Sequence, residues 1–494
     1  MDQSLIDEVV AAREAAYDAV RPLAVAEQHA AGRLTARERI AALCDPGSFV
    51  EYGVQAQPIP DRFDAPADGL VAGVCRVEGR PAVVASYDYT VHRGTQSSLN
   101  QNKLERVLAL AVEHRWPFVC FADGEGRRPP LAGENHYSAI GGRGSLGLVD
   151  GLCELSGRAP SVAVVSGPCL DGNATLPLLA ECVVATAGSV MGAADQPVPV
   201  ETSEQSGDVD RVESDEPAAI AAVRRYLSLL LGDLPAGEPS PAADNIRAIL
   251  PDNRKRAYDV RKVFAALLDE GSGLELRPKW GASLVTALGR LGGRTVGMFG
   301  NQPLSRVAGA IDADAADKMC RFIEFCSAYG VPLVSIIDSP GFHIGPEAER
   351  QGMARHHIRT LSAIVNRRVP LFCVQLRKSY GLGPLVMTGF GGRRVPELRL
   401  AWPTVERGGM SLEGAAYLVK RKEIRAAATP EEAQRIRDEY ANTLRARESG
   451  VRAGQSFAFD EVIDPAETRD RLIAALKLHE RSWPAARQDY LDTI

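Results

Sequence analysis

Hydrophobic and polar residues follow two different periods along this chain. Residues 4–31 place apolar side chains at helical spacing, and Gly32 is positioned to end that helix. Thr35 and Glu38, three positions apart, fit a capping box at the start of a second helix. Further along, short β-branched runs such as residues 161–166 alternate with helical stretches. This alternation predicts an α/β fold whose sheets are covered by helices.

Three stretches interrupt this alternation. Residues 195–216 contain eight acidic residues and one arginine, which predicts a solvated acidic loop, with a regulatory or docking loop as the alternative. Residues 232–245 are rich in Pro and Gly and predict a linker. A helix is predicted over about residues 254–270, and the C-terminal tail is helical. We therefore predict two domains, residues 1–240 and residues 254–494.

The chain also contains an internal repeat with a period near 215 residues. Four positions of the first half recur 215 residues later, so that Lys103, Pro117, Asp123 and Gly126 correspond to Lys318, Pro332, Asp338 and Gly341. A further pair of apolar strands, after Pro160 and after Pro370, follows at an offset of 210 residues. Spaced matches in the same order predict a duplicated domain.

Each copy ends in an apolar strand, a glycine-containing turn and the start of a helix. The two turns are residues 167–173 and 377–383. The first backbone N–H groups of a helix have no partner within the helix, and the helix dipole favours negative charge there. Such a turn can therefore stabilise an oxyanion. Two of them predict chemistry with two developing negative oxygens, on two different reactants.

Composition narrows the class of protein. The 494 residues include 57 basic and 63 acidic side chains, and the net charge of −6 argues against a nucleic-acid or anionic-membrane partner. Nine cysteines without a CxxC pair predict buried, reduced thiols and no zinc site. The N-terminus is acidic and helical, unlike a secretory signal, and no apolar run is long enough to span a bilayer. We expect a cytoplasmic protein with no metal in this chain.

Two local motifs are set aside. Residues 142–147 satisfy GxGxxG, but the preceding segment is a poor strand, so a turn before a helix is favoured over a dinucleotide site. His356 and His357 are adjacent and project apart on a helix, so we expect a role at the helix surface and not a metal pair.

Several stretches resemble one known family. They are residues 34–53, 79–96 and 164–186 in the first half, and residues 300–345, 376–389 and 401–415 in the second. These segments are similar to the carboxyltransferase (β) subunits of biotin-dependent acyl-CoA carboxylases of the propionyl-, methylcrotonyl- and acetyl-CoA types. The resemblance extends over roughly residues 30–480. It implies an α/β fold of two duplicated crotonase-like domains (ββα spirals), with a helical lead at the N-terminus and helices at the C-terminus.

The resemblance also implies a reaction. In this family carboxybiotin, delivered by a separate carrier protein, releases CO2, and the biotin anion removes a proton from the α-carbon, or the vinylogous γ-carbon, of an acyl-CoA. The thioester enolate then attacks CO2. One backbone pocket holds the enolate oxygen and the other holds the ureido oxygen of biotin, in agreement with the two predicted oxyanion sites.

The implied partners act in trans. No lysine of this chain lies between two methionines, as the biotin acceptor of a carrier domain does. A biotin carboxylase and a biotin carboxyl carrier protein are therefore expected as separate chains. Relatives form dimers, often assembled as trimers of dimers. The resemblance thus implies a homo-oligomer, at least a dimer, with a hexamer as the larger assembly.

By resemblance, the catalytic groups lie at the two turns. The first pocket falls at Gly172 and Asn173, and the second falls at Leu382 and Gly383. Many relatives have Gly-Gly-Ala at both turns, and this chain departs from that pattern. Asparagine and leucine retain their backbone N–H groups, so the donors are kept while the side chains reshape the pockets. We therefore expect a divergent subfamily.

Further site residues are implied on the ligand sides of the pockets. Gly341 and Phe342 match a loop that lines the biotin side in relatives. Lys103 and the neighbouring residues 94–96 lie where the first half approaches CoA. Leu385 corresponds to a side chain that lines the acyl pocket, with simple core packing as its alternative.

The departures at the turns leave two alternatives open. One is a biotin-independent or decarboxylating enzyme that acts on a malonyl-type acyl-CoA. The other is a catalytically weak scaffold subunit of a carboxylase complex, for which the acidic segment 195–216 is the only supporting feature.

Overall fold

The computed structural model describes residues 2–58, 64–128, 144–254, 256–389, 396–447 and 450–479. The chain divides into two compact units, of which the first ends at Leu231 and the second starts at Gly232. The predicted domains differ from this division in the linker region, because residues 232–253 belong to the second unit.

The first unit combines helices with a large and a small sheet. Its helices are α1 (Gln3–Glu14), α2 (Pro22–Ala30), α3 (Ala36–Leu43), α4 (Ser98–His114), α5 (Gly144–Leu155), α6 (Thr175–Leu179), α7 (Val200–Ser206) and α8 (Glu216–Leu231). Its strands are β1 (Val50–Glu51), β2 (Leu70–Val77), β3 (Arg80–Tyr87), β4 (Phe118–Phe121), β5 (Gly124–Glu125), β6 (Ser161–Val165), β7 (Pro168–Leu170), β8 (Cys182–Thr186), β9 (Val190–Ala193), β10 (Gln196–Pro199) and β11 (Arg211–Glu213). Single 3-10 turns occur at Asp18–Val20, Pro66–Gly69 and His92–Gly94.

The second unit is built around one sheet and ends in helices. Its helices are α9 (Arg261–Leu267), α10 (Ala313–Ala328), α11 (Pro346–Arg350), α12 (Met353–Asn366), α13 (Leu382–Met387), α14 (Leu412–Val419), α15 (Arg421–Ala426), α16 (Pro430–Arg447), α17 (Gly450–Gln455) and α18 (Thr468–Leu476). Its strands are β12 (Leu274–Leu276), β13 (Leu284–Leu291), β14 (Arg294–Asn301), β15 (Leu333–Ser339), β16 (Leu371–Tyr380), β17 (Leu398–Ala401), β18 (Glu406–Gly408) and β19 (Glu461–Val462). Further 3-10 turns occur at Pro241–Ala248 and Pro465–Glu467.

Both units repeat one topology. In the first unit β2 and β3 form an antiparallel hairpin, and β4, β6 and β8 continue the sheet in parallel. In the second unit β13 and β14 form the hairpin, and β15, β16 and β17 continue in parallel. Helix α4 and helix α10 follow the respective hairpins. A small sheet in the order β10-β9-β7-β5 is added to the first unit. The predicted duplication is thus visible in the strand order.

Local sequence accounts for the start of each long crossover helix. Ser97 caps α4, and Asn100 completes a capping box with it. Asp312 caps α10 by accepting a hydrogen bond from the N–H of Ala315 at 3.0 Å. The apolar faces of these helices cover the sheets, and each unit has its own buried core. In the described part of the chain, none of the helices is both long and apolar enough to cross a membrane.

The repeated lysines occupy matching positions on α4 and α10. The Lys103 ammonium is buried and donates to two backbone carbonyls, those of Ala67 and Leu70. The Lys318 ammonium is also buried and donates, at 2.7 to 2.9 Å, to the carbonyls of Arg277, Trp280 and Leu284. Burial lowers the pKa of Lys103 to about 8 and that of Lys318 to about 7. The contacts of Lys103 are therefore structural, and its contact with CoA stays a prediction.

The helix predicted over residues 4–31 ends near Gly32 as expected, but it is not one continuous helix. One helix was expected over residues 4–31, but a 3-10 turn at Asp18–Val20 separates α1 from α2. Pro22 is the first residue of α2, where its missing N–H costs nothing, whereas it would break the interior of a longer helix. The capping box of Thr35 and Glu38 is confirmed.

The prediction of a solvated acidic loop at residues 195–216 is wrong. This segment forms β10, α7 and β11, and several of its carboxylates are buried. Asp210 accepts a hydrogen bond from the N–H of Val183 at 2.8 Å, and Glu216 pairs with Arg39. Counting charges in the sequence could not reveal these partners, because they lie on distant parts of the chain.

The helix predicted over residues 254–270 is also shorter than expected. Among the residues of this segment that the structure describes, those of α9 alone are α-helical, and Leu268 leaves the helix with extended backbone angles. Tyr258 precedes α9 and is buried, where its hydroxyl donates to Asp338 at 2.9 Å. This tertiary contact outweighs the local helical preference of the segment. Within the GxGxxG motif, residues 142–143 lie outside the described residues, and Gly144 begins α5.

Candidate active site

The first predicted turn connects β7 to α6 in the first unit. Strand β6 leads into β7, and residues 171–174 then bring the chain to the start of α6. Asp171 adopts a left-handed backbone with φ of 46°, and its carboxylate accepts a hydrogen bond from the N–H of Ala194 at 3.0 Å. The backbone N–H of Asn173 donates to the carbonyl of Leu170 at 3.0 Å. The turn is therefore closed by its own hydrogen bond, which occupies the N–H of Asn173.

The side chain of Asn173 joins three segments of the first unit. It is fully buried, and its Oδ1 accepts from the N–H of Gly126 at 3.1 Å. Its Nδ2 donates to the carbonyls of Ala122 at 3.2 Å and of Gly94 at 3.4 Å. The structure thus places Gly94 beside the turn and gives Asn173 a positioning role, while the contact of residues 94–96 with CoA stays a prediction.

Gly172 lies against the Gln96 side chain. A Cβ atom on Gly172 would lie 2.3 Å from Gln96 Oε1, so a side chain at this position would displace the Gln96 amide. The backbone of Gln96 is fixed on both sides, because its N–H donates to the carbonyl of Gly126 and its carbonyl accepts from the N–H of Arg128, each at 2.7 Å. Gln96 therefore forms one wall of the first turn.

A second cluster beside this turn was not identified from the sequence. Glu125 lies on β5, which pairs in parallel with β7 so that Glu125 is opposite Leu170. Its Oε1 accepts from the Tyr89 hydroxyl at 2.7 Å and from the Arg93 guanidinium at 2.9 Å. Burial, together with the hydrogen bond to Glu125, raises the pKa of Tyr89 to about 12. Tyr89 is therefore a neutral hydrogen-bond donor near neutral pH.

A buried ion network fixes the strand ends that lead to the first turn. Arg39 on α3 contacts Asp123 at 2.6 Å and Glu216 at 2.7 Å, and its side chain is 1% exposed. The other oxygen of Asp123 accepts from the N–H of Ser166 at 2.7 Å. Burial opposes the charge of Arg39, but the two carboxylates more than compensate and hold its pKa above the ordinary value.

The second predicted turn connects β16 to α13 in the second unit. Gly381 has a φ of 70°, and its N–H donates to the carbonyl of Gly408 at 3.0 Å. Leu382 and Gly383 are the first two residues of α13, so their N–H groups have no acceptor within the helix. Pro384 follows and has no N–H. The donors at this turn are therefore the amides of Leu382 and Gly383.

The loop at Gly341 and Phe342 packs directly against this turn. A Cβ atom on Gly383 would lie 2.9 Å from the carbonyl carbon of Gly341 and 3.2 Å from the nitrogen of Phe342. Gly341 itself has a φ of 115°, in the region that favours glycine. Ser339 fixes the loop, because its hydroxyl accepts from the N–H of Gly341 at 3.1 Å. The structure thus brings three of the predicted second-site residues together.

Asp338 accepts a backbone hydrogen bond before the second turn, as Asp123 does before the first. Its Oδ1 accepts from the N–H of Lys378 at 2.9 Å, and its Oδ2 accepts from Arg377 at 3.1 Å and from the Tyr258 hydroxyl. Burial and the neighbouring Asp338 carboxylate raise the pKa of Tyr258 well above its ordinary value. The repeat found in the sequence therefore marks a carboxylate that braces each strand end.

Glu406 braces the second turn from another strand. It lies on β18, which pairs in parallel with the last residues of β16. Its Oε2 accepts from the Tyr380 hydroxyl at 2.5 Å, and its Oε1 accepts from Arg445 at 2.7 Å and from Arg254. No pattern in the sequence points to Glu406, because its partners are 26 to 152 positions away.

The remaining predicted residues differ in exposure. Leu382 is 49% exposed and Leu385 is 42% exposed, so neither is packed into the core of the second unit. Phe342 is buried, and its ring lies 3.7 Å from that of His357. His356 contacts Asp317 at 2.9 Å. Within the described residues, no group of three or more metal-ligating side chains lies close together.

The duplicated α/β units, each with a hairpin continued by parallel strands and a strand–turn–helix end, define the fold class as crotonase-like. The carboxyl transferase domain family matches residues 27–488. The chain is 34% identical over 488 residues to the methylmalonyl-CoA carboxyltransferase 12S subunit of Propionibacterium freudenreichii subsp. shermanii, covering 92% of this chain and 90% of the relative. It is 31% identical over 487 residues to the methylmalonyl-CoA decarboxylase subunit alpha of Veillonella parvula, covering 92% and 91%.

Solved structures agree with this assignment. A single-chain, multi-domain long-chain acyl-CoA carboxylase matches with a TM-score of 0.88 and 38% identity. The match covers 96% of this chain and 49% of that protein, so this chain spans about half of its length. The transcarboxylase 12S hexamer with methylmalonyl-CoA bound matches with a TM-score of 0.81 and 31% identity, covering 95% of this chain and 94% of that one. The chain belongs to the carboxyltransferase family of biotin-dependent acyl-CoA carboxylases. The expected family and fold class are confirmed.

Proposed function

We propose that this enzyme transfers the carboxyl group of carboxybiotin, presented on a separate carrier protein, to the α-carbon or vinylogous γ-carbon of an acyl-CoA. The observation that supports this proposal is the pair of turns, each preceded by a backbone N–H that donates to a buried aspartate. Ser166 donates to Asp123 in one unit, and Lys378 donates to Asp338 in the other. A reaction that develops negative charge on two reactants requires two such donor sites.

In this proposal the first turn binds the thioester. The Gly172 N–H donates to the developing enolate oxygen, and Gln96 lies against the same glycine. The N–H of Asn173 is engaged by Leu170, so Asn173 contributes by holding the turn against residues 94–96 and 126. Backbone donors fixed in this way require no reorganisation as the charge develops.

The second turn fits the ureido group of biotin by the chemistry of its donors. That group presents a hydrogen-bond acceptor, and the amides of Leu382 and Gly383 are donors at the start of a helix. When bound, carboxybiotin supplies the CO2 and, after its release, the base. Gly341 and Phe342 form the neighbouring wall, and the exposed Leu385 side chain is available to contact the acyl group.

The proposal includes partners. A biotin carboxylase and a biotin carboxyl carrier protein act in trans, and the chain forms a homo-oligomer, a dimer or a hexamer of three dimers. The transcarboxylase 12S relative assembles as a hexamer in its solved structure, which supports the larger assembly.

The decarboxylating direction is the second candidate function. It is favoured by the 31% identity to a methylmalonyl-CoA decarboxylase subunit. The scaffold alternative loses its only support, because the acidic segment 195–216 is folded into strands and a helix with buried carboxylates.

One incubation distinguishes these functions. The purified chain is mixed with carboxybiotin, free or on a carrier protein, and a panel of acyl-CoA thioesters, and carboxylated products are identified by mass spectrometry. The proposal predicts a carboxylated acyl-CoA that forms only when carboxybiotin is present. Loss of CO2 from a malonyl-type thioester without biotin would support the biotin-independent enzyme instead, and absence of CoA binding would contradict both.

A further inference from the structure

Two cysteines of the first unit lie side by side near the edge of its large sheet. Cys44 directly follows α3, and Cys75 lies on β2, the second strand of that sheet. Each residue is 5% exposed, and both thiols are free. The thiol of Cys44 forms a hydrogen bond with that of Cys75. The pair belongs to neither turn and is not used by the proposed function.

Hydrogen bonds of the adjoining backbone hold the two segments together. The N–H of Asp45 donates to the carbonyl of Arg76 at 2.7 Å, one residue beyond each cysteine. The Asp45 carboxylate accepts from the N–H groups of Glu78 and Gly79 at 3.2 and 2.7 Å. The N–H of Arg76 donates to the Ser48 hydroxyl at 3.0 Å. The two cysteines are therefore held by fixed backbone segments, as a disulfide requires, because its geometry tolerates little backbone movement.

The surroundings of the pair give its two thiols different roles. The hydrogen bond to Cys75, together with burial, raises the pKa of Cys44 well above its ordinary value. Cys44 therefore keeps its proton and donates it towards the Cys75 sulfur. Arg224 is bonded to the Leu43 carbonyl and to Asp45, and its positive charge partly offsets the effect of the Asp45 carboxylate on the pair. Since the thiolate is the nucleophilic form of a cysteine, Cys75 is the thiol that reacts first.

A thin layer of chain separates this pair from solvent. Residues 46–47, shortly after Cys44, are exposed, and so is Arg76, which directly follows Cys75. A small oxidant such as a peroxide therefore needs only a local opening at the sheet edge to reach the pair. By contrast, Cys120 and Cys169 lie within the hydrophobic core of the same unit and are at most 1% exposed.

We propose that Cys44 and Cys75 are a modification site that forms a reversible disulfide with a peroxide as the oxidant. The Cys75 sulfur attacks one oxygen of hydrogen peroxide, the O–O bond breaks, and the departing hydroxide leaves as water with the thiol proton. The Cys44 sulfur then attacks the sulfenic sulfur, and its proton leaves with the hydroxyl group as a second water. Two thiols and one peroxide thus give one disulfide and two waters. A small dithiol reverses the reaction by thiol–disulfide exchange.

The disulfide joins the end of α3 to β2 and closes a loop over residues 44–75. A closed loop restricts the unfolded chain, so the oxidised form is the more stable one. Helix α3 also carries Arg39, which contacts Asp123 at 2.6 Å, and Asp123 accepts from the N–H of Ser166 before the first turn. Oxidation therefore fixes the helix that braces this turn.

The test treats the purified full chain with hydrogen peroxide and locates cross-links by proteolysis without reductant, followed by mass spectrometry. We expect two peptides joined through Cys44 and Cys75, lighter by two hydrogens than the separate peptides. The Tm of the treated protein should rise by roughly 5 °C or more, and dithiothreitol should restore the untreated value. This measurement on the wild type needs no variant, so the proposal stays testable if a substituted chain does not fold.

Variants assign the effect to the pair. Cys44→Ser and Cys75→Ser should each abolish the cross-link and the rise in Tm. Cys153→Ser is the matched control, because Cys153 is a partly exposed thiol of the same unit, and its loss should leave both unchanged. Absence of a cross-link, a cross-link through other cysteines, or separate sulfinic acids at Cys44 and Cys75 would overturn the proposal. A bond between Cys44 and Cys75 without a rise in Tm would overturn its stabilising role.

Discussion

The substitution Glu406→Gln tests whether the second turn depends on the buried carboxylate that braces it. The Glu406 side chain is 7% exposed and receives hydrogen bonds from Tyr380, Arg445 and Arg254. Tyr380 directly precedes the turn that starts at Gly381. Glutamine preserves the shape and one acceptor oxygen but removes the charge and places an NH2 group where the second acceptor was.

The expected cost follows from these contacts. Hydrogen bonds to charged groups contribute about 1.5–3 kcal/mol each. The arginines are 41% and 24% exposed, so solvent screens their share. We expect a loss of about 1–2 kcal/mol in the free energy of unfolding. For a unit of this size that lowers Tm by roughly 2–8 °C.

The pH dependence has a defined sign. Burial opposes ionisation of Glu406, but hydrogen bonds from Arg445 and Tyr380 outweigh it and lower its pKa. Its contribution is therefore complete above the unfolded-state pKa and is lost as pH falls through the lower folded-state pKa. The stability difference between wild type and Glu406→Gln should shrink in strong acid.

The assay combines thermal unfolding with steady-state kinetics. If Glu406 positions the second turn, the variant raises the KM for carboxybiotin more than the KM for the acyl-CoA. Glu461→Gln is the control, because Glu461 forms an exposed ion pair with Arg471 at 3.1 Å and should change stability by less than about 0.5 kcal/mol. Equal Tm and equal kinetics in the two variants would refute the reasoning.

Two further predictions concern buried groups in each unit. Burial lowers the pKa of Lys318 to about 7, so the unfolded state binds more protons than the folded state between about pH 7 and 10, and the free energy of unfolding should rise over that window. Lys318→Met should flatten this rise when it is measured by urea unfolding at several pH values. A variant with the same pH dependence as the wild type would contradict the prediction. Asn173→Ala removes the contacts to Gly126 and Ala122 and should cost about 2–4 kcal/mol, measured by thermal unfolding, with an unchanged Tm as the contrary result.

The repeat was the most informative feature of the sequence. It located Asp123 and Asp338, whose matching roles at two strand ends are visible only in the structure. It also paired Lys103 with Lys318, but the sequence could not show that both ammonium groups satisfy backbone carbonyls. Local spacing identifies the position of a residue in a motif, whereas its hydrogen-bond partner depends on the folded chain.

The long-range ion pairs at the two sites could not be predicted from sequence patterns. Arg39 pairs with Glu216 across 177 positions, and Glu406 pairs with Arg254 across 152 positions. The acidic segment 195–216 looked solvated because its charge was counted without such partners. Short glycine turns were easier to predict. Glycine is favoured where the backbone has a positive φ or where another group packs closely against it, so the residue type itself indicates the turn.

The central claim is that the two turns bind two different reactants. The most direct measurement compares Gly172→Ala with Gly383→Ala in a carboxyl-transfer assay in which the concentrations of both substrates are varied. A methyl group on Gly172 would displace Gln96, and one on Gly383 would press on Gly341. Gly409→Ala is the control, because a Cβ atom there meets no atom within 4 Å. The account predicts that Gly172→Ala lowers kcat/KM for the acyl-CoA and that Gly383→Ala lowers it for carboxybiotin. Both variants impairing the same substrate would contradict it.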